Sequence, residues 1–280
     1  FLDLVDYREL DRLLPTLKAA DAVFHMGANS STTSTDGDEI LRVNLHATMA
    51  WWKWCTHTGT PFIYASSAAT YGDGHQGFND DQSPDALDQL APLNLYGWSK
   101  HQFDKWAVER AAEGHAPPQW AGLKFFNVYG PNEYHKGDMR SLVAKNTELI
   151  ARGETIRLFK SHKEGYADGA QLRDFVYVKD CCAVMMWLLD NRQASGVFNL
   201  GTGQARSFVD LMQAIGAALN KPVNIEFVDM PESIRPNYQY FTEARMDKLK
   251  QAGFSGDFHS LERGVADYVG QHLVKADAYR

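Results

Sequence analysis

Three cysteines in 280 residues are too few for a disulfide framework. Two are adjacent, Cys181 and Cys182, and the third is distant at Cys55, so no metal-binding spacing exists either and all three read as buried thiols. No stretch approaches the roughly 18 unbroken apolar residues that span a bilayer, and no charged-then-apolar leader opens the chain. The expectation is a cytoplasmic protein without a membrane partner. Basic runs are also missing. Lys and Arg number 28 against 35 Asp and Glu, a formal net charge of −7, which argues against nucleic acid and favours a small-molecule ligand. A further gap concerns glycine. A doubly wound nucleotide-binding fold normally opens with strand, G-x-G-x-x-G and helix, which seats a pyrophosphate on the helix N-terminus. No such run is present. Gly201-Thr202-Gly203 lacks the third glycine and comes late, so it reads as a tight turn after a strand. The chain is therefore expected to start inside such a fold, with Asp3-Leu4 ending its third strand. No internal repeat or low-complexity tract is visible.

What is present is an alternation of strand and helix, with 44% hydrophobic and 12% aromatic residues to build its core. Residues 7–20 read as an amphipathic helix and 22–26 as an apolar strand ending at Gly27-Ala28. The hydroxyl-rich run from Asn29 to Thr35 suits a solvated loop or a binding loop at a strand's carboxyl end. Residues 39–57 form a second helix too apolar to stand in water, and 61–67 a buried strand. After the turn-rich stretch 72–95, strands are expected at 121–128, 175–178, 197–200 and 223–228. Helices are expected at 139–152, 180–190, 208–220, 242–252 and 260–273, and residues 159–173 read as a long polar loop.

The stretch Tyr96-Gly97-Trp98-Ser99-Lys100 sits at the start of another helix. Residues four apart share a helix face, so the Lys100 ammonium can stand beside the Tyr96 phenol. A phenol titrates near ~10; a neighbouring cation favours the phenolate and would bring it toward neutral pH, making Tyr96 a proton shuttle. At the end of the strand over residues 61–67, the Ser67 hydroxyl could bond the same substrate oxygen. The plainer account is a helix with an incidental Tyr and Lys. Arg173 has a planar guanidinium suited to a diphosphate, or to pairing with a carboxylate such as Asp174.

Several runs carry a resemblance. They are His25-Met26-Gly27-Ala28-Asn29-Ser30-Ser31-Thr32-Thr33, Tyr64-Ala65-Ser66-Ser67-Ala68-Ala69-Thr70-Tyr71-Gly72, and Phe126-Asn127-Val128-Tyr129-Gly130-Pro131 followed by His135-Lys136-Gly137. The chain resembles the extended short-chain dehydrogenase/reductase family of nucleotide-sugar enzymes over essentially its whole length. The His-Lys-Gly run is similar to the ADP-heptose 6-epimerase branch of that family.

The resemblance implies a doubly wound, Rossmann-like parallel α/β sheet lacking its first strands, with a smaller α/β substrate-binding lobe. Residues 1–130 and 174–204 would form the dinucleotide-binding domain, and 131–173 and 205–280 the nucleotide-sugar lobe. It assigns Tyr96 and Lys136 as two acid/base groups, Ser67 as a hydroxyl on the reacting oxygen, and Lys100 as a ligand of the cofactor ribose that tunes Tyr96. Met26, Gly27, Ala28, Asn29, Ser30, Asn44 and Val128 would lie near an NADP, with NAD as the other candidate. Asn127, Phe159, Lys160, Ser161, His162, Arg173 and Tyr238 would line the site of an ADP-heptose substrate, along with Asp138 and Lys145. Met26, Asp138 and Lys145 depart from the family's Glu, Ser and His. The loop over residues 161–172 is longer than in the enterobacterial type, and a homo-oligomer, pentameric by resemblance, is implied.

The implied chemistry is oxidation and re-reduction at the sixth carbon of the heptose. Each epimer presents its hydroxyl on a different side, which gives the second base a reason to exist. Residue type alone would leave Lys136 a solvated lysine. A UDP-hexose 4-epimerase or a sugar dehydratase would share Ser67, Tyr96 and Lys100 without needing Lys136, and a redox-sensing binding protein would not need the Tyr/Lys pair.

Overall fold

The strand that carries Ser67 is buried along five of its six residues, the pattern of a central parallel strand covered on both faces. The computed structural model describes residues 9–275 except 19, 233, 236 and 237, so the strand end expected at Asp3-Leu4 lies outside the described residues. In chain order the elements are α1 (Leu10–Leu13), β1 (Val23–His25), α2 (Gly37–Ile40), α3 (Ala47–Thr58), β2 (Phe62–Ser67), α4 (Pro84–Asp88), α5 (Leu95–Ala112), β3 (Trp120–Phe125) and β4 (Asn127–Tyr129). Next come α6 (Leu142–Ala151), β5 (Ile156–Phe159), β6 (Leu172–Tyr177), α7 (Val178–Asp190) and β7 (Gly196–Leu200). The last are β8 (Ala205–Ser207), α8 (Phe208–Leu219), β9 (Ile225–Val228), α9 (Asp247–Gln251) and α10 (Leu261–Tyr268).

The chain divides into two compact units. The first holds the described residues from 9 to 125 together with Met185–Asn199 and Asp247–Gly253. Its sheet runs β1-β2-β3-β7, with β1 parallel to β2 and β2 parallel to β3. This is the expected parallel α/β sheet. Its core gathers Trp52 and Cys55 of α3, Phe103 and Ala107 of α5, and Phe62, Tyr64 and Trp120 of the strands. Trp52 meets Phe62, Phe103, Trp106 and Trp120 edge-on at 5.3–6.2 Å, and its indole N–H donates to the His115 carbonyl at 3.0 Å. Truncating so large a core side chain costs ~3–5 kcal/mol. The second unit holds the described residues of Phe126–Val184, Leu200–Met246 and 254–275. There β4 and β8 flank β6, parallel and antiparallel respectively, and β5 pairs in parallel with β9. Helices α6, α8 and α10 close a core that includes Val143, Ile150, Met212, Ile215, Val265 and Tyr268.

Local chemistry accounts for the departures from the expected elements. The helix expected over residues 7–20 is described only from Leu10 to Thr16. Pro15 lies in its closing 3-10 turn and Leu17 is already extended, since proline removes a donor and crowds the preceding turn. The single strand expected over 121–128 is two, because the chain leaves one sheet after Phe125 and enters another at Asn127. β5 lies just ahead of the expected polar loop and forms through its pairing with β9, a contact about 70 residues distant that local pattern does not report. The helix expected over 242–252 is confined to α9. Cys55 and Cys181 are buried as expected, but Cys182 is exposed. The Gly201 to Gly203 turn is pinned by the buried Asp174, which accepts from the N–H groups of Thr202, Gly203 and Ala244 at 2.7–3.0 Å.

Candidate active site

The first unit builds a site at the carboxyl ends of β1 and β2. Between α2 and α3 the helix widens into a π segment over Leu41–His46, a distortion common where helices carry function. Asn44 lies in this segment and is fully buried. Its carbonyl oxygen accepts the Asn29 N–H at 2.8 Å, and its amide donates to the Asn29 carbonyl at 3.0 Å and the Ser99 hydroxyl at 3.1 Å. One carboxamide thus ties the loop after β1 to helix α5. The neighbouring His25 bonds Thr48 at 3.0 Å, and burial with the nearby Lys100 charge lowers its imidazole to about 4, so it is neutral. Met26, Ala28 and Asn29 are half-buried, while Gly27 and Ser30 are exposed.

Ser67 ends β2 in extended geometry, and its hydroxyl caps the following 3-10 turn by accepting from the Ala69 N–H at 3.1 Å. Helix α5 starts against that turn. Asn94 caps it by accepting the Gly97 N–H at 2.8 Å, and any side chain at 97 would put its first carbon 2.7 Å from the Ala69 carbonyl oxygen. Glycine at 97 lets the Tyr96 helix reach Ser67. Burial raises the Tyr96 phenol above its ordinary value, the Ser67 hydroxyl draws it partly back, and the Asp104 charge raises it again. Lys100, only 3% exposed, is lowered by burial to about 8 with the Asp104 charge opposing. The expectation that Lys100 pulls Tyr96 down is therefore not met; desolvation sets the direction, and the phenol here is neutral. The Lys100 ammonium makes no hydrogen bond or ion pair with any described residue of its unit. Its donors suit the hydroxyl oxygens of a ligand.

In the second unit the remaining expected residues fall into separate groups. Asn127 and Val128 lie on β4, opposite Phe175 and Val176 of β6. Lys136 is exposed in a 3-10 turn over Tyr134–Met139, with Gly137 at φ 52° just after it. Its ammonium has no partner among the described residues of its unit. Asp138 is exposed in the same turn, and Lys145 is half-buried on α6. Phe159, Lys160, Ser161, His162, Arg173 and Tyr238 do come together. Tyr238 meets Phe159 edge-on at 6.3 Å, and the Arg173 guanidinium lies over Tyr238 at 5.3 Å and Phe208 at 5.5 Å. Arg173 donates to the carbonyls of Leu172 and Gln239, so the carboxylate pairing open to it from sequence is not made. Ser161 is held by Asp168, the His162 N–H donates to the Tyr240 hydroxyl at 2.9 Å, and Lys160 pairs with Asp229 at 3.5 Å. Neither Asp138 nor Lys145 joins this cluster through a side-chain hydrogen bond or ion pair.

Other residues were missed. Ser99 anchors Asn44, and its place between Tyr96 and Lys100 was its only signal. Glu133 is buried and accepts from the Ser141 hydroxyl at 2.6 Å and the Tyr268 hydroxyl at 3.0 Å, which secures the base of the Lys136 turn. Asp104 and Lys124 form a buried ion pair beneath Ser67. A lysine inside the apolar strand Trp120–Phe125 was a legible sign, because a buried charge requires a partner.

The profile of the NAD dependent epimerase/dehydratase family matches residues 1–201. An ADP-L-glycero-D-manno-heptose-6-epimerase of Fusobacterium nucleatum is 48% identical over 100% of this chain and 86% of its own. One of Nitratidesulfovibrio vulgaris is 52% identical over 92% of this chain and 78% of its own. Among solved structures, the ADP-L-glycero-D-manno-heptose-6-epimerase of Helicobacter pylori is similar with a TM-score of 0.76 and 26% identity, covering 95% of this chain and 77% of that one.

Proposed function

The chain belongs to the NAD dependent epimerase/dehydratase family, within it to the ADP-L-glycero-D-manno-heptose-6-epimerases, and we propose that it interconverts the D-glycero and L-glycero epimers of ADP-β-D-manno-heptose at the sixth carbon. The observation that carries this reading is the junction of Ser67, Tyr96 and Lys100, in a chain about half identical to those epimerases. The product would supply heptose to lipopolysaccharide, and the setting would be the cytoplasm.

The residues of the first unit fit a nicotinamide dinucleotide. The Lys100 side chain is buried and its ammonium has no hydrogen-bond or ion-pair partner among the described residues, and the Asn44 clamp holds the loop from Met26 to Ser30 in one course. Met26, Gly27, Ala28, Asn29, Ser30, Asn44 and Lys100 would hold the cofactor, with Val128 also beside it, and NADP is the form favoured by the heptose-epimerase resemblance. When bound, this group supplies the hydride acceptor and donor of the redox cycle.

The protein's own part is to bind, orient and move protons. In the reducing direction the neutral Tyr96 phenol gives its proton to the ketone oxygen of one epimer while Ser67 holds that oxygen; in the oxidising direction the phenolate so formed takes the hydroxyl proton back. Lys136 does the same for the other epimer. The ketone must turn between the two half-cycles, because hydride leaves one face of the carbon and returns to the other. Arg173, with Tyr238 stacked on it, is assigned to the diphosphate, and Phe159, Lys160, Ser161 and His162 to the nucleotide. Asn127, Asp138 and Lys145 complete the sugar side. The assembly is a homo-oligomer, a pentamer on the same resemblance, which sedimentation would test.

The deciding experiment incubates the protein with the pure D-glycero epimer of ADP-heptose and follows the sixth-carbon signals by NMR. Both epimers should accumulate to a constant ratio while UDP-glucose is left unchanged. Conversion of UDP-glucose with no conversion of ADP-heptose would establish a hexose 4-epimerase instead.

A further inference from the structure

Asp104 lies one helical turn beyond Lys100 on α5, 0% exposed, and faces β2 and β3. It accepts from the Ser66 hydroxyl at 2.6 Å, the Tyr64 hydroxyl at 3.0 Å and the Lys124 ammonium at 2.9 Å. Lys124, 1% exposed, also donates to the Thr70 hydroxyl at 2.5 Å, and Thr70 in turn donates to the Ser67 carbonyl at 2.8 Å. The chain of bonds therefore closes around Ser67. It holds the preceding residue by its side chain and Ser67 itself by its carbonyl, and it ends on the helix that carries Tyr96 and Lys100. We propose that the Asp104–Lys124 pair is a positioning element for the reaction, locking the Ser67 strand end to helix α5 so that Ser67, Tyr96 and Lys100 keep one mutual geometry.

The chemistry supports a role beyond packing. Two apolar side chains of similar volume would fill this space without the cost of desolvating two charges, so a buried ion pair contributes little net stability. What it contributes is direction, because three hydroxyls, those of Ser66, Tyr64 and Thr70, must bond at fixed angles around it. It also sets the local field. Groups facing Asp104 are Tyr64 from β2, Tyr71 and Thr70 from the following turn, Lys124 from β3, and Tyr96, Lys100 and His101 from its own helix. Lys105 and Asp88 act on His101, while Asp80 and Lys248 lie further out beside Tyr71 and Lys124. The Asp104 charge favours the protonated forms of both Tyr96 and Lys100.

The proposal rests on the epimerase reading, and its test separates the two. The full chain, loaded with cofactor, is assayed as wild type, Asp104→Asn, Lys124→Arg and the apolar double variant Asp104→Leu/Lys124→Met. Asp104→Asn should lower kcat by ~10–100-fold with the KM for ADP-heptose changed less than ~3-fold, because substrate binding groups are untouched and only alignment at the reacting oxygen is lost. It should also move the kcat pH limb assigned to Tyr96 to lower pH, as removal of a neighbouring negative charge requires. Lys124→Arg keeps the charge and should retain the wild-type pH limb. If Asp104→Asn does not fold, the double variant decides: it should unfold near the wild-type temperature yet lose ~10-fold or more of kcat. A folded variant with wild-type kcat and pH profile, differing only in melting temperature, would make the pair a stabiliser and overturn the proposal. Lack of turnover by the wild type counts against the substrate, not against the pair. In that case deuterium uptake of the segment 64–71 decides, rising in the double variant if the pair positions Ser67 and unchanged if it does not.

Discussion

The Asn44 carboxamide bonds both backbone polar groups of Asn29, accepting from its N–H at 2.8 Å and donating to its carbonyl at 3.0 Å. A side chain that satisfies both groups of one loop residue fixes that loop's course. Asn44→Ala would leave these groups, and the Ser99 hydroxyl, without their partner. Unfolding free energy should fall by ~1–3 kcal/mol, and the dinucleotide should dissociate at least tenfold more readily. Denaturation and cofactor fluorescence measure the two effects. Unchanged cofactor affinity would remove Asn44 from the cofactor site.

Lys100 makes a pH prediction with a definite sign. Its ammonium is lowered by burial to about 8 in the folded chain, against ~10.4 when unfolded, so between these values the unfolded state binds more protons and stability rises with pH. Below about 8 the buried charge is a standing cost. Cofactor-free Lys100→Met should therefore be more stable than wild type at pH 7, by up to ~3 kcal/mol, with the advantage shrinking as pH rises from 8 toward 10. Melting temperatures of the two proteins across that range check it. A Lys100→Met protein less stable at pH 7 would mean the ammonium is satisfied in the fold.

Arg173 is held by two carbonyls and stacked between Tyr238 and Phe208, so its plane is set before any ligand arrives. Lysine can supply the charge but neither the plane nor the fork. Arg173→Lys should raise the KM for ADP-heptose about tenfold and leave kcat within about threefold, the mark of lost uniform binding. Steady-state kinetics read both. An unchanged KM would confine Arg173 to a structural role.

How much of this was legible depended on the range of the interaction. Tyr96 and Lys100 are linked by helix spacing, and β2 is marked by the apolar run Phe62–Ala65, so both could be read locally. The strand end pointed to Ser67, the guanidinium chemistry to Arg173 and the family resemblance to Asn44, but none of these showed what holds them. Asn44 meets Ser99 across 55 positions and Lys124 meets Thr70 across 54, and no periodicity reports such pairs. Tyr96 shows the limit in chemistry as well as in position. Its spacing from Lys100 suggested a lowered phenol, yet burial and Asp104 raise it, because desolvation depends on the packed environment. Pro15 was visible in the sequence and should have ended the first helix there.

The two acid/base assignments make a paired prediction. Tyr96→Phe and Lys136→Met should each slow net epimerisation by at least ~10²-fold, since the full cycle uses both groups. Each should retain the half-reaction served by its surviving group, read as partial cofactor reduction by one pure epimer. The preferred epimer should be opposite in the two variants. Wild-type epimerisation by Lys136→Met would end the second-base assignment.

The central claim is that hydrogen lifted from the sixth carbon returns to that same carbon without entering water. Turnover of the pure D-glycero epimer to equilibrium in deuterium oxide, followed by NMR and mass measurement of both epimers, tests it most directly. The account predicts no deuterium on the sixth carbon after many turnovers. Deuterium there, in proportion to turnover, would show epimerisation by proton abstraction at carbon and contradict it.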